Sequence, residues 1–112
     1  MITTHVLDTS RGKPAVGVTV ILEMRHQRDW IPIGRGSTDE NGRIMNLTEE
    51  SHPLSVGTYR LTFDTGTYHQ VQGIGSPFFP EVKILFNVET ADEQFHVPLL
   101  VSPFGYSTYR GS

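Results

Sequence analysis

The chain has 112 residues, 37% of them hydrophobic and 19% charged, with a formal net charge of −3. That balance disfavours both a disordered segment and a membrane span, and the lack of any basic run argues against a nucleic-acid or anionic-membrane surface. The absence of cysteine excludes a disulfide framework, a thiolate zinc site and a thiol nucleophile.

The length suits a single domain over residues 1–112 with a two-layer core. Its opening stretch, MITTHVLDTSRGKPA, has neither a basic nor an apolar leader region and reads as a strand followed by a turn, so a cytoplasmic protein is expected. Glycines and prolines punctuate short β-like runs from there on. ITTHVLDT is the first, and SRGKPAV turns at Gly12 and Pro14. In GVTVILEMRH, Val18, Val20, Leu22 and Met24 alternate with polar neighbours, the period-2 pattern of a half-buried strand. DWIPIGRGST is a weaker strand that Pro32 demotes to an edge. STDENGR is a turn, with Asp39 able to bond its own backbone and Asn41-Gly42 tolerant of positive φ. RIMNL resumes as a strand and TEESHPLSVG is an acidic loop.

TYRLTFD places Tyr59, Leu61 and Phe63 on one face. TGTYHQVQG predicts the single helix, about two turns long and stopped at Gly73. After the PFFP loop, EVKILFNVE, QFHVPLLVS and YSTYRG complete the strands. Seven to eight strands, regular turns and one short helix predict an all-β sandwich.

Five histidines are the groups able to act as bases near neutral pH. His26, His52 and His69 fall in or beside turns and the helix and read as surface residues. His5 and His96 sit mid-strand, and alternation turns both away from the core, His5 sharing its face with Thr3 and Leu7. Such a histidine is ordinarily just solvated, and only the fold can bring the two together. Arg43, at the exit of the hairpin turn, is either a solvated arginine or a fixed guanidinium for an anion or planar ligand, with Arg35 and Arg110 as competitors. The acidic pairs Asp39-Glu40, Glu49-Glu50 and Asp92-Glu93 read as solvated loops. His5 and His96 lack a third ligand at recognisable spacing, so no metal and no cofactor are expected. The terminal Tyr109-Arg110-Gly111-Ser112 reads as an edge strand, or as part of a pocket that also takes in the final carboxylate.

HVPLLVSPFGYSTYRGS resembles the C-terminal signature of 5-hydroxyisourate hydrolases, the transthyretin-related enzymes of urate breakdown. ITTHVLDTSRGKPA, TDENGR and SPFFPEV resemble further segments of that family, so the likeness spans the chain. The resemblance implies a transthyretin-like sandwich, a homotetramer made as a dimer of dimers, and a site in the groove where dimers meet. It implies catalytic roles for His5, Arg43, His96 and Ser112, and substrate contacts for Tyr109, Arg110 and Gly111. It also implies that the chain end belongs to the site. The reaction so implied is hydrolysis of a ring amide in 5-hydroxyisourate, with histidines activating water and Arg43 stabilising the oxyanion. The competing reading is a non-catalytic carrier of a small aromatic ligand on the same scaffold. A third is a β-sandwich module that pairs through an edge strand.

Overall fold

A computed structural model of the chain describes residues 1–48 and 54–112. Within them the elements run β1 (Ile2–Asp8), β2 (Lys13–Pro14), β3 (Thr19–His26), β4 (Asp29–Ser37), β5 (Arg43–Ile44), β6 (Gly57–Phe63), α1 (Thr65–Val71), β7 (Val82–Val88), β8 (Phe95–Ser102) and β9 (Gly105–Thr108). One sheet has the order β2-β1-β8-β9, with β5 also paired to β1; the other has the order β4-β3-β6-β7. This is the two-sheet sandwich expected from the sequence. The strand number exceeds the expected seven to eight because β2 and β5 are two-residue pairings on β1, too short to show a period. The strand expected over RIMNL shrinks to Arg43–Ile44.

The core lies between the sheets because both contribute alternating apolar side chains to the gap. Ile2 and Val6 of β1 and Val97 and Leu99 of β8 meet Leu22, Leu61 and Phe63 from the opposite layer, all buried. Each such side chain removed from water contributes about 1.5–3 kcal/mol. Pro32 lies on an edge strand, as expected, and beside a bulge: the β3–β4 register slips between Leu22, opposite Gly34, and Glu23, opposite Pro32. A residue without an N–H is tolerated there because the ladder is already interrupted.

Helix α1 is capped by Asp64, whose carboxylate accepts the Thr67 N–H at 3.2 Å. Thr65, Gly66, Tyr68 and His69 form its buried face. His69 is therefore a correction to the sequence reading, being 1% exposed instead of on the surface. Helical periodicity puts it beside Tyr68 on the inward stripe, with the two rings edge to face at 5.4 Å. Its Nε2 has no hydrogen-bond partner among the described residues. His26 is exposed, as expected, whereas His52 and the Glu49-Glu50 pair fall outside the described residues.

The Tyr68 hydroxyl donates to Asp8 Oδ2 at 2.7 Å, tying α1 to the end of β1. Burial pushes the Asp8 carboxyl up, but hydrogen bonds from Ser10, Tyr68 and Arg11 outweigh it and leave the group below its ordinary value. Among the described residues no helix is long and apolar enough to cross a membrane.

The turn before β5 depends on Gly42. Its φ is +76° and its N–H donates to the Asp39 carbonyl at 2.9 Å. The Gly42 carbonyl accepts the Val6 N–H at 2.7 Å, and a Cβ on Gly42 would collide with the Val6 carbonyl oxygen. Gly12 also has positive φ but open space around it. Gly42→Ala should therefore lower the urea midpoint clearly more than Gly12→Ala, whose cost is confined to the backbone, about 1 kcal/mol. Equal losses in the two variants would show that the close approach to β1 carries no weight.

Candidate active site

Pairing on β1 assembles the candidate residues. β5 runs antiparallel to β1 and sets Arg43 opposite His5. β8 runs parallel to β1 and sets His96 opposite Thr3, with Pro98 opposite His5. Side chains paired across strands share a face, so Thr3, His5, Arg43 and His96 all project from the outer face of this sheet. Both histidines are half-buried and Arg43 is exposed. Outward projection of the two histidines was legible from alternation; their proximity required the pairing of strands 93 positions apart in sequence. Arg35, the competitor for Arg43's role, lies on β4 in the other sheet.

Arg43 is fixed through its turn. The Asp39 carboxylate accepts the backbone N–H of Asn41 at 2.8 Å and of Arg43 at 3.0 Å. These bonds hold the Asp39 carboxyl below its ordinary range. His5 has its pKa lowered, first by burial and then by the Arg43 charge. The Asn41 backbone carbonyl, hydrogen-bonded to the His5 ring, and the Asp39 carboxylate oppose that shift in part. His96 is lowered by burial, by Arg43 and by His5. A permanent cation and two imidazoles biased to the neutral form thus share this face, with His5 on the strand between those of Arg43 and His96.

Two contacts orient the His96 ring. The Thr3 hydroxyl lies 2.7 Å from His96 Nδ1. On the other side, Gly111 bridges to His96, its N–H donating to the His96 carbonyl at 2.8 Å. A Cβ on Gly111 would overlap Cδ2 of the imidazole, so the ring rests where a side chain would stand. Gly111 therefore shapes the site by leaving room. The sequence shows of Thr3 only that it shares a face with His5; its partner follows from the β1–β8 register.

The rest of the terminal segment divides. Arg110 donates to Glu93 at 2.8 Å, and its guanidinium lies 5.0 Å from the centre of the Phe95 ring. Phe95 faces the core, so these contacts hold Arg110 at the rim of the sandwich, on the cleft that His96 also reaches. Tyr109 is exposed and lines, with Arg110 and His96, a cleft of about 220 Å³ against β7. Ser112 is exposed and follows the Gly111 bridge directly. The cleft reaches His96 but not His5 or Arg43. Among the described residues no three His, Asp or Glu side chains converge as metal ligands. What converges is two neutral bases and a guanidinium, a set able to take a proton from water and to stabilise an oxygen anion.

A family model described as the HIUase/Transthyretin family matches residues 2–111. A protein of Caulobacter vibrioides named 5-hydroxyisourate hydrolase is 46% identical over 116 residues, covering 99% of this chain and 97% of that protein. The solved structure of Klebsiella pneumoniae 5-hydroxyisourate hydrolase is similar with a TM-score of 0.83 at 39% identity, covering 99% of this chain and 98% of the other. Sea bream transthyretin, solved in complex with thyroxine, is similar with a TM-score of 0.88 at 32% identity, covering 98% and 93%. The backbone thus matches a hydrolase and a transthyretin alike, and with the family model it places the chain: this protein belongs to the HIUase/transthyretin family.

Proposed function

We propose that the chain hydrolyses 5-hydroxyisourate, opening its six-membered ring at an amide bond, as a step of urate degradation. The observation that carries this reading is the convergence of His5, Arg43 and His96 on one sheet face. Relatives named for this hydrolysis, matched along nearly the whole chain, support it. Water must lose a proton as it attacks the carbonyl carbon, and the carbonyl oxygen must be stabilised as it becomes anionic. One neutral histidine serves the first need and the delivery of hydrogen to the leaving nitrogen, and the other assists it with a hydrogen bond to the substrate; Arg43 serves the second need. Gly111 admits the His96 ring, while Ser112 and Tyr109 border the substrate. Arg110 holds the terminal segment against Glu93. A carrier of aromatic ligands has no need of three ionisable side chains at its wall, which sets the carrier reading second.

The working form in this proposal is a homotetramer, a dimer of dimers. Strands β7 and β9 end their sheets with exposed Leu85 and Tyr106, and exposed Phe78 and Phe104 stand beside the β8–β9 turn. Unpaired strand edges with apolar side chains favour pairing with another copy. The open His5–Arg43–His96 face would become an enclosed pocket when a second copy covers it.

The test is to generate 5-hydroxyisourate from urate with urate oxidase and to follow its ultraviolet decay with and without the protein. Decay no faster than the spontaneous rate, from a folded protein, would overturn the proposal. His5→Ala and His96→Ala should each lower kcat by about a hundred- to ten-thousandfold while size-exclusion chromatography still shows the wild-type assembly. Gly111→Ala should lower kcat as well, because its methyl group displaces the His96 ring. The lowered histidine values fix the pH dependence. Activity needs the proton-accepting imidazole neutral, so it is complete above that group's pKa and falls as pH drops through it. The acid limb of kcat/KM should have its midpoint below 6.5, the ordinary histidine value. In Arg43→Gln, NMR titration should find both imidazole pKa values raised, and unchanged values would show that the guanidinium does not act on them.

A further inference from the structure

We propose that Thr3 is a positioning residue of this site, holding His96 in the tautomer with its proton on Nε2, so that the two histidines carry different tasks. The inference rests on the hydrolase reading for its catalytic consequence, but its structural part stands on the geometry of two hydrogen-bonded groups. Thr3 Oγ1 lies 2.7 Å from His96 Nδ1, and among the described residues the hydroxyl has no other hydrogen-bond partner. A neutral imidazole has one N–H and one lone pair. If Nδ1 held the proton, the Thr3 oxygen would accept it and the hydroxyl hydrogen would lack a protein acceptor. With the hydroxyl donating to Nδ1, these two satisfy each other, and the Nε2 hydrogen, which has no acceptor among the described residues, is left for a ligand. The Gly111 bridge on the opposite side of the ring keeps it from turning away from Thr3.

His5 has the complementary arrangement. Register sets His5 opposite Arg43 at the exit of the turn, beside the Asn41 backbone carbonyl, which can only accept a hydrogen bond. The His5 nitrogen facing that carbonyl carries the proton and the other nitrogen offers a lone pair. One ring therefore presents an acceptor and the other a donor. A neutral imidazole that gave up its only N–H would become an imidazolate, too basic an anion to form near neutral pH. His96 is accordingly a hydrogen-bond donor to the substrate, acting with Arg43 on the oxygen that gains charge. His5 moves the proton: it takes one from water as the new C–O bond forms, and it returns that proton to the ring nitrogen as the C–N bond breaks. Both histidines end in their starting forms, and one water has been added across the bond.

Nitrogen-15 NMR of the ring nitrogens in the substrate-free full chain, labelled at histidine, reads the tautomer directly. Wild-type His96 should show protonated Nε2 and bare Nδ1 above its pKa. Thr3→Val keeps the β-branched shape of the strand residue and removes only the hydroxyl. In that variant the Nδ1-protonated form should gain population, and kcat should fall by about ten- to a hundredfold at little cost in KM. Thr3→Ser should restore both the tautomer and most of kcat, which a purely structural role for the methyl group would not do. A wild-type His96 protonated at Nδ1 overturns the proposal even if Thr3→Val fails to fold. So does a folded Thr3→Val with unchanged kcat, a loss of kcat without a change of tautomer, or a Thr3→Ser that restores neither. Failure of the wild-type protein to hydrolyse 5-hydroxyisourate would instead remove the catalytic reading, while the nitrogen spectra would still decide whether Thr3 sets the His96 proton.

Discussion

The parallel pairing of β1 with β8, residue against residue from Ile2 and Phe95 to Asp8 and Val101, is the constraint on which the rest of the structure depends. It joins the two ends of the chain, and it is secured inside the core, where Thr4 donates its hydroxyl to the Val97 carbonyl at 2.6 Å. A second hydroxyl, from Thr9, reaches the Val101 carbonyl at 3.2 Å beyond the end of the strand. Because side chains alternate, a slip of one residue would send every core residue of β8 outward and turn His96 into the interior. The same register that closes the hydrophobic layer thus decides which side chains share the outer face. Core and site are two faces of one strand pair.

Arg43 has a different kind of influence. It enters through a strand of two residues, held by a turn whose carboxylate bonds its own backbone and whose glycine rests against β1. Once there, its charge acts on both histidines in the same direction as their burial. A permanent cation beside imidazoles biased to the neutral form is in place before any ligand arrives. Little reorganisation is then needed when charge develops on a bound molecule.

Much of this was legible in the sequence. Alternation alone turned His5 and His96 outward, Pro32 marked an edge strand, and Asn41-Gly42 marked the turn that delivers Arg43. These features are local, since each depends on the pleat or on the conformational freedom of a single residue. The failures share a cause as well. His69 read as a surface residue because a two-turn helix has too few apolar positions to reveal which side is inward, and its buried stripe includes a threonine, a glycine and the histidine itself. For Arg110 the terminal motif leaves a structural and a substrate-binding role open, and its contacts with Glu93 and Phe95 are ones that the motif does not report. The contact of Thr3 with His96 could not be read at all, because nothing local to either residue reports the other.

The edges of the two sheets are unequal. One sheet ends at β4, where the bulge and Pro32 leave a ladder that another strand cannot easily extend. The corresponding border of the other sheet is only the two-residue pieces β2 and β5. The opposite borders, β7 and β9, are regular and unblunted, and they lie together because β7 and the residues just after β9 wall the same cleft. A sandwich open on both sides could add copies without limit, as a fibril does. This one has regular free edges on a single side, so pairing of two copies there would use up both sets and leave no edge for open-ended growth.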